Sequence, residues 1–185
     1  PLFLLMWGIL IFVSWLVKKM PLITGGGIPQ TRGVINGRVA YKHPFIEVIA
    51  KFVGGILALS TGLSLGREGP SVQIGSYVGC LVSKWGRVLA GERKQLLAAG
   101  AGAGLAAAFA APLASSLLVI ESIERFDAPK TAITTLLAGV VAGGVASWLF
   151  PINPYFQIDA IVPGMTFWSQ VKLFLLLAAV VSVFG

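Results

Sequence analysis

Gly66-Arg67-Glu68-Gly69-Pro70 puts two opposite charges into an otherwise apolar stretch, and a helical pattern (Ser71, Val72, Gln73, Ile74) follows at once. A carboxylate at bilayer depth costs roughly 2.5–3.5 kcal/mol on insertion scales, so an ionisable residue placed there signals a function. Glycines beside Glu68 let main-chain N–H groups come close, and a helix start favours negative charge. Such a start can hold either the carboxylate or a free anion, which is what a gate for anions requires. The pattern predicts a helix over residues 71 to about 81, with Lys84 and Arg87 marking its exit from the apolar zone.

The rest of the chain supplies the surroundings this reading needs. Of 185 residues, 56% are hydrophobic and 11% charged, and the mean hydropathy is +0.88. That composition predicts an all-α, polytopic integral membrane protein with about five to eight helical segments of roughly 20 residues, some of them half-length. The net charge of +7 falls in short loops between segments. Positive loops facing the cytoplasm explain it, and no nucleic-acid partner is expected. A single cysteine, Cys80, rules out an internal disulfide framework and a cysteine-cluster metal site. His43, the one histidine, sits in the polar segment Tyr41-Lys42-His43-Pro44 and reads as interfacial, so neither metal nor cofactor is expected. Pro1 at the start and an apolar run at Gly185 suggest a single transmembrane domain fragment over residues 1–185, cut at both ends, and no cleavable signal peptide is visible.

Further segments follow from hydropathy and punctuation. Residues 2–17 form an apolar run closed by Lys18 and Lys19, and a polar, basic loop is expected over residues 30–43. Residues 45–65 read as the next membrane segment. Within it Glu47 and Lys51 have the i, i+4 spacing and order of a helical ion pair, expected at the interface. Residues 95–120 are dominated by alanine and glycine, which lets helix backbones approach closely in lipid, and Pro112 predicts two helices or half-helices meeting there. Ala101-Gly102-Ala103-Gly104 is no dinucleotide loop, because no soluble strand precedes it and no acidic residue follows at the required distance. Asp127 with Pro129 predicts a helix start, residues 132–150 a spanning run, and residue 171 onward a last apolar helix. Trp148, Tyr155, Phe156 and Trp168 read as an interfacial belt.

A second break resembles the first. Gly25-Gly26-Gly27-Ile28-Pro29, like Gly66-Arg67-Glu68-Gly69-Pro70, is a glycine cluster, then a proline, then a helix. This arrangement exposes unpaired N–H donors while proline sets the first turn. A dehydrated halide needs partial positive charge without a counter-ion that would trap it, and two helix N-termini would supply that. Either motif alone is explained as a helix cap; both in one apolar chain, one with a glutamate, favour the anion site.

At these residues the chain resembles the CLC chloride channel and transporter family. GGGIP at residues 25–29, Ala50-Lys51-Phe52-Val53-Gly54-Gly55, GREGP at residues 66–70, residues 104–114 and Ile120-Glu121 all fit its pattern, so the resemblance covers essentially the whole chain. It implies a CLC-type fold of broken and half-length helices, this chain being the first, N-terminal half of a membrane domain built from two inverted halves. It implies that Glu68 is the gating glutamate, that Arg67 and Gly69 belong to the outer anion-binding turn, and that Gly26, Gly27 and Ile28 form the inner one. The implied partners are chloride or another small anion, protons, the lipid bilayer and a second copy in a homodimer.

Two positions depart from the family pattern. The inner motif usually carries a serine where this chain has Gly26, which leaves the main-chain amides but no hydroxyl and keeps nitrate, bromide and fluoride open beside chloride. Many proton-coupled members have two adjacent acids where this chain has Glu121 and Ser122, and serine does not titrate near neutral pH. A passive channel and a proton-coupled exchanger therefore both remain. A membrane enzyme would need buried His, Asp or Glu that the chain scarcely offers, so no catalytic residue is expected. A non-transporting scaffold leaves both glycine breaks unexplained.

Overall fold

The computed structural model describes residues 2–124, 129–150 and 167–184. Among them are eight α-helices: α1 (Leu2–Lys19), α2 (Ile28–Ile35), α3 (Pro44–Ser60), α4 (Glu68–Trp85), α5 (Ala90–Phe109), α6 (Pro112–Val119), α7 (Pro129–Leu149) and α8 (Phe167–Phe184). A 3-10 turn over Pro21–Ile23 leads to α2, and a π-helical turn over Ile120–Glu124 follows α6. The described residues contain no strand, in keeping with the all-α class. Chain contacts define two units, Pro1–Pro151 and Ile152–Gly185. The second contributes α8, whose Leu173, Phe174, Leu175 and Leu176 are exposed.

Several boundaries differ from the sequence expectation, each for a local reason. α4 starts at Glu68 rather than Ser71, because the Ser71 N–H already bonds to the Arg67 carbonyl at 3.1 Å and a first-turn proline has no N–H to satisfy. It runs on to Trp85, past Leu81, as the Ser83 hydroxyl turns back onto the Cys80 carbonyl at 2.7 Å. The loop expected from Gln30 is helical as far as Ile35, since Thr31, Val34 and Ile35 are buried and pin α2 to the core. α3 stops at Ser60 rather than Leu65. The Ser60 and Thr61 hydroxyls bond back to the Leu57 and Ala58 carbonyls at 2.8 and 2.7 Å, and Gly62 then takes a φ of +76°. α5 begins at Ala90, earlier than Gln95, and α8 at Phe167, earlier than residue 171. The break at Pro112 is where the sequence puts it, with Ala110 in the left-handed region between α5 and α6. α7 begins at Pro129, while Asp127, Tyr155 and Phe156 lie outside the described residues.

α2 and α6 have eight residues each, about 12 Å of helix against a hydrocarbon core of about 30 Å. They are half-length helices packed on their neighbours by one face, α2 through Thr31, Val34 and Ile35 and α6 through Ser115, Ser116 and Val119. α7 is by length and composition able to cross a membrane unaided.

The distribution of residue types is inverted relative to a water-soluble helix. On α3, Phe45, Ile49, Phe52 and Ile56 face outward, whereas Glu47, Ala50, Lys51 and Gly54 are buried. Thr31, Gln73, Ser76, Thr131 and Thr135 are also buried. Polar groups inside and large apolar groups outside suit a lipid surround. The core itself is centred on Val72, Tyr77, Cys80, Leu97, Ala98, Ala101 and Leu105 of α4 and α5.

α4 and α5 lie antiparallel with backbones in contact. A methyl group on Gly75 would strike the Gly100 carbonyl, one on Gly100 the Gly75 carbonyl, one on Gly79 the Leu96 carbonyl and one on Gly104 the Ser71 carbonyl. In lipid, where no hydrophobic drive separates helix from tail, such small-residue contact supplies the association.

Candidate functional site

The inner turn is built by consuming its carbonyls. Pro21 O accepts from the Thr24 hydroxyl at 2.7 Å, and Thr24 O from Gln30 Nε2 at 2.8 Å. Leu22 O accepts from Gln73 Nε2 of α4 at 2.7 Å. Lys51 of α3 donates from Nζ to Ile23 O at 2.8 Å and to Gly25 O at 2.7 Å. Gly25 and Gly27 take φ values of +63° and +94°, left-handed conformations that glycine adopts without strain. They turn the chain into α2 with the N–H groups of Gly26, Gly27 and Ile28 donating to no acceptor among the described residues. The carbonyls from Pro21 to Gly25 are tied up, that of Gly26 lies against Gly69, and the turn's N–H groups are open.

The expected Glu47–Lys51 ion pair is therefore corrected. Both side chains are buried at 5% exposure rather than interfacial. Lys51 reaches across to the inner turn, because two carbonyls there would otherwise be left without donors. Glu47 instead uses Oε1 to accept the His43 N–H at 3.1 Å, at the start of its own helix.

The outer turn lies against the inner one. Gly69 is buried, and a methyl group added to it would collide with the carbonyl of Gly26. The N–H groups of Glu68 and Gly69, first in α4, donate to no acceptor among the described residues. Arg67 caps the helix, and its guanidinium lies over the Phe109 ring at 4.7 Å. Glu68 is exposed, and its carboxylate makes no hydrogen bond or ion pair among the described residues. Gly25, Gly26, Gly66 and Pro70 from the two turns line one cavity of about 400 Å³, with Lys51 and leucines such as Leu10, Leu16 and Leu59.

Beneath the turns runs a buried polar network. Gln73 Nε2 also donates to the Tyr77 hydroxyl at 3.3 Å. Tyr77 and Tyr41 rings pack at 4.1 Å between centroids, and the Tyr41 hydroxyl donates to Ser76 Oγ at 3.4 Å. Burial pushes the Tyr41 hydroxyl above the usual tyrosine range, so it stays protonated.

This chain matches the voltage gated chloride channel family model over residues 9–185. It belongs to that family. Among its relatives, the H(+)/Cl(-) exchange transporter ClcA of Vibrio cholerae serotype O1 is 38% identical over 171 residues, covering 89% of this chain and 35% of the relative. ClcA of Citrobacter koseri is 34% identical over 192 residues, covering 100% of this chain and 40% of the relative. ClcA of Vibrio parahaemolyticus is 35% identical over 190 residues, covering 96% and 38%. The chain thus spans well under half the length of these relatives. As a member of the voltage gated chloride channel family it is a multi-pass integral membrane protein.

Within this family member, the residues singled out from the sequence fall into two places. Gly26 meets Gly69 where the two turns touch, with Gly27 and Ile28 next in the chain on one side and Arg67 and Glu68 on the other. Glu121 and Ser122 lie apart in the π-helical turn after α6, Glu121 exposed and Ser122 half-buried. Two residues of the site were not anticipated there. Lys51 carried a signal, a cation within an apolar helix, but its spacing pointed to Glu47. Gln73 carried a weaker one, an amide on a membrane helix five positions after Glu68.

Proposed function

We propose that this chain carries the inner and outer anion-binding turns of a membrane anion transporter, with chloride the default substrate. One observation supports it above the rest. At two touching helix starts the inner turn's carbonyls from Pro21 to Gly25 are occupied by Lys51, Gln73, Gln30 and Thr24, while the amides of Gly26, Gly27, Ile28, Glu68 and Gly69 have no acceptor among the described residues. Amides fixed in this way offer a halide partial positive charge without a salt bridge that would hold it too long. Arg67 extends the outer turn, and Glu68 is the side chain that competes with the anion for it. The names of the relatives, which state chloride and proton exchange, support the same substrate class.

In this reading residues 1–185 form the N-terminal half of one membrane domain, and the complete protein works as a homodimer with one pathway per subunit. It binds no cofactor and performs no enzymatic reaction. The test is chloride efflux from liposomes holding the full-length protein. Robust efflux that Glu68→Ala alters supports the assignment; efflux indifferent to that change removes Glu68 from the pathway, and no efflux at all returns the chain to the scaffold reading.

A second reading, proton-coupled exchange, is favoured by the relatives' printed names and opposed by Ser122, which replaces a titratable group. An imposed chloride gradient that drives proton uptake decides for exchange, and chloride flux without proton movement decides for a channel.

A further inference from the structure

Gln73 of α4 reaches into the inner turn, 51 positions back along the chain. Its side chain is fully buried, and Nε2 donates to Leu22 O at 2.7 Å and to the Tyr77 hydroxyl at 3.3 Å. Chemistry fixes which way the amide points. A main-chain carbonyl only accepts, so the nitrogen must face Leu22. Oε1 then lies where a side chain on Gly27 would begin, and it has no donor among the described residues. Gly27 admits it because it has no Cβ, and glycine holds its φ of +94° without strain.

Gly27 is also the N-cap of the eight-residue α2, and the N–H groups of Gly26, Gly27 and Ile28 are open among the described residues. A buried acceptor without a donor and a set of open donors therefore adjoin at one residue. Buried amide oxygens are as a rule hydrogen-bonded. A bare halide answers half of this demand: it accepts from N–H groups but has no hydrogen to give to Oε1.

We infer that the inner turn binds its anion together with one water, whose hydrogens point to Gln73 Oε1 and to the anion. This rests on the anion-site reading above and adds the state of hydration in which the anion is held. A buried water stays where polar partners surround it, and a bridging water is nearly as favourable in enthalpy as a direct hydrogen bond. Gln73 is then a specificity-determining residue. An anion that keeps a water at the turn gives up less hydration on entry, which favours chloride over weakly hydrated anions such as thiocyanate. Oε1 cannot swing away, because Leu22 O and the Tyr77 hydroxyl hold the nitrogen, and the Tyr77 ring is itself packed on Tyr41 at 4.1 Å between centroids. Lys51 grips the same turn from α3, at Ile23 O and Gly25 O, and offers no acceptor. Its loss loosens the turn and leaves Oε1 in place.

The experiment compares thiocyanate and chloride efflux from liposomes holding the full-length protein. Gln73→Met keeps the side chain's length and removes both donor and acceptor. It is expected to raise the thiocyanate-to-chloride flux ratio roughly three- to tenfold, the worth of one neutral hydrogen bond. Lys51→Met is expected to lower both fluxes and leave the ratio unchanged. An unchanged ratio in Gln73→Met, or an equal rise in Lys51→Met, overturns the inference, since a loosened turn would then account for everything. Should Gln73→Met fail to fold, a crystal structure of the full-length parent grown with bromide decides. Anomalous density for bromide at the Gly26, Gly27 and Ile28 N–H groups, with a water bridging it to Gln73 Oε1, supports the inference. Bromide there with no such water, or a side chain from the rest of the protein donating to Oε1, overturns it and leaves the anion site standing. No bromide at the turn removes the anion-site reading itself, and this inference with it.

Discussion

The main chain of Gly69 rests on the carbonyl of Gly26, with no room between them for a single methyl group. Residues 43 positions apart in the sequence therefore present their helix starts to one place. Gly69→Ala is expected to force the two turns apart and to lower chloride binding, measured by titration calorimetry, by tenfold or more, on the order of 1.4 kcal/mol. Since the collision involves backbone, no side-chain rotation relieves it. Chloride affinity within twofold of the parent would show that the contact does not position the anion.

Lys51→Met keeps the length of the side chain and deletes its donors. The buried Ile23 carbonyl then loses its partner, at a cost of about 1–3 kcal/mol. Thermal unfolding should shift downward, and chloride binding should weaken beyond what the lost stability explains, because the inner turn is no longer held. Lys51→Met with unchanged chloride affinity would assign the lysine to structure alone.

Glu68→Gln imitates the protonated side chain. Because Glu68 is exposed and unengaged among the described residues, the change should be neutral for folding. Chloride flux should lose most of its pH dependence and remain high across the range where the parent responds. A variant with the parent's full pH profile would remove Glu68 from the gate.

Gly26 has open space where a side chain would begin, with nothing within 4 Å, and it does not share the positive φ of Gly25 and Gly27. Gly26→Ser should fold as the parent does and add a hydroxyl donor to the inner turn. The expected outcome is a higher chloride-to-nitrate flux ratio, measured by substrate competition. An unaltered ratio would mean that main-chain amides alone set selectivity.

Gly100→Leu tests the helix contact away from the site. Its side chain would meet the Gly75 carbonyl and the backbone of Gly79, and overpacking of this kind costs typically about 1–3 kcal/mol. Loss of thermal stability, with residual chloride affinity falling in step, is the expected result.

Much of this was legible in the chain. The breaks at Gly25–Gly27 and at Gly66–Pro70, the half-length helix that starts at Pro112 and the glycine and alanine contact surface all follow from local chemistry: φ freedom, proline's missing N–H and small side chains. Boundaries were less legible where a tertiary contact overrode composition. Thr31 and Arg32 look like loop residues, yet Val34 and Ile35 bury one face of that segment. Lys51 shows the limit most plainly. Its i, i+4 relation to Glu47 is a local rule, whereas its partners at Ile23 and Gly25 are set by the approach of α3 to the 3-10 turn, which no periodicity encodes.

The backbone contact at Gly75, Gly79, Gly100 and Gly104 bears on motion. Two backbones touching along their length leave nothing compressible between them, so α4 acts as a stiff mast and the outer turn cannot swing with it. The soft degrees of freedom at its tip are the torsions of an exposed carboxylate, which reorient in picoseconds to nanoseconds. Under the transport reading proposed above, the gate is then the Glu68 side chain moving on a fixed helix end.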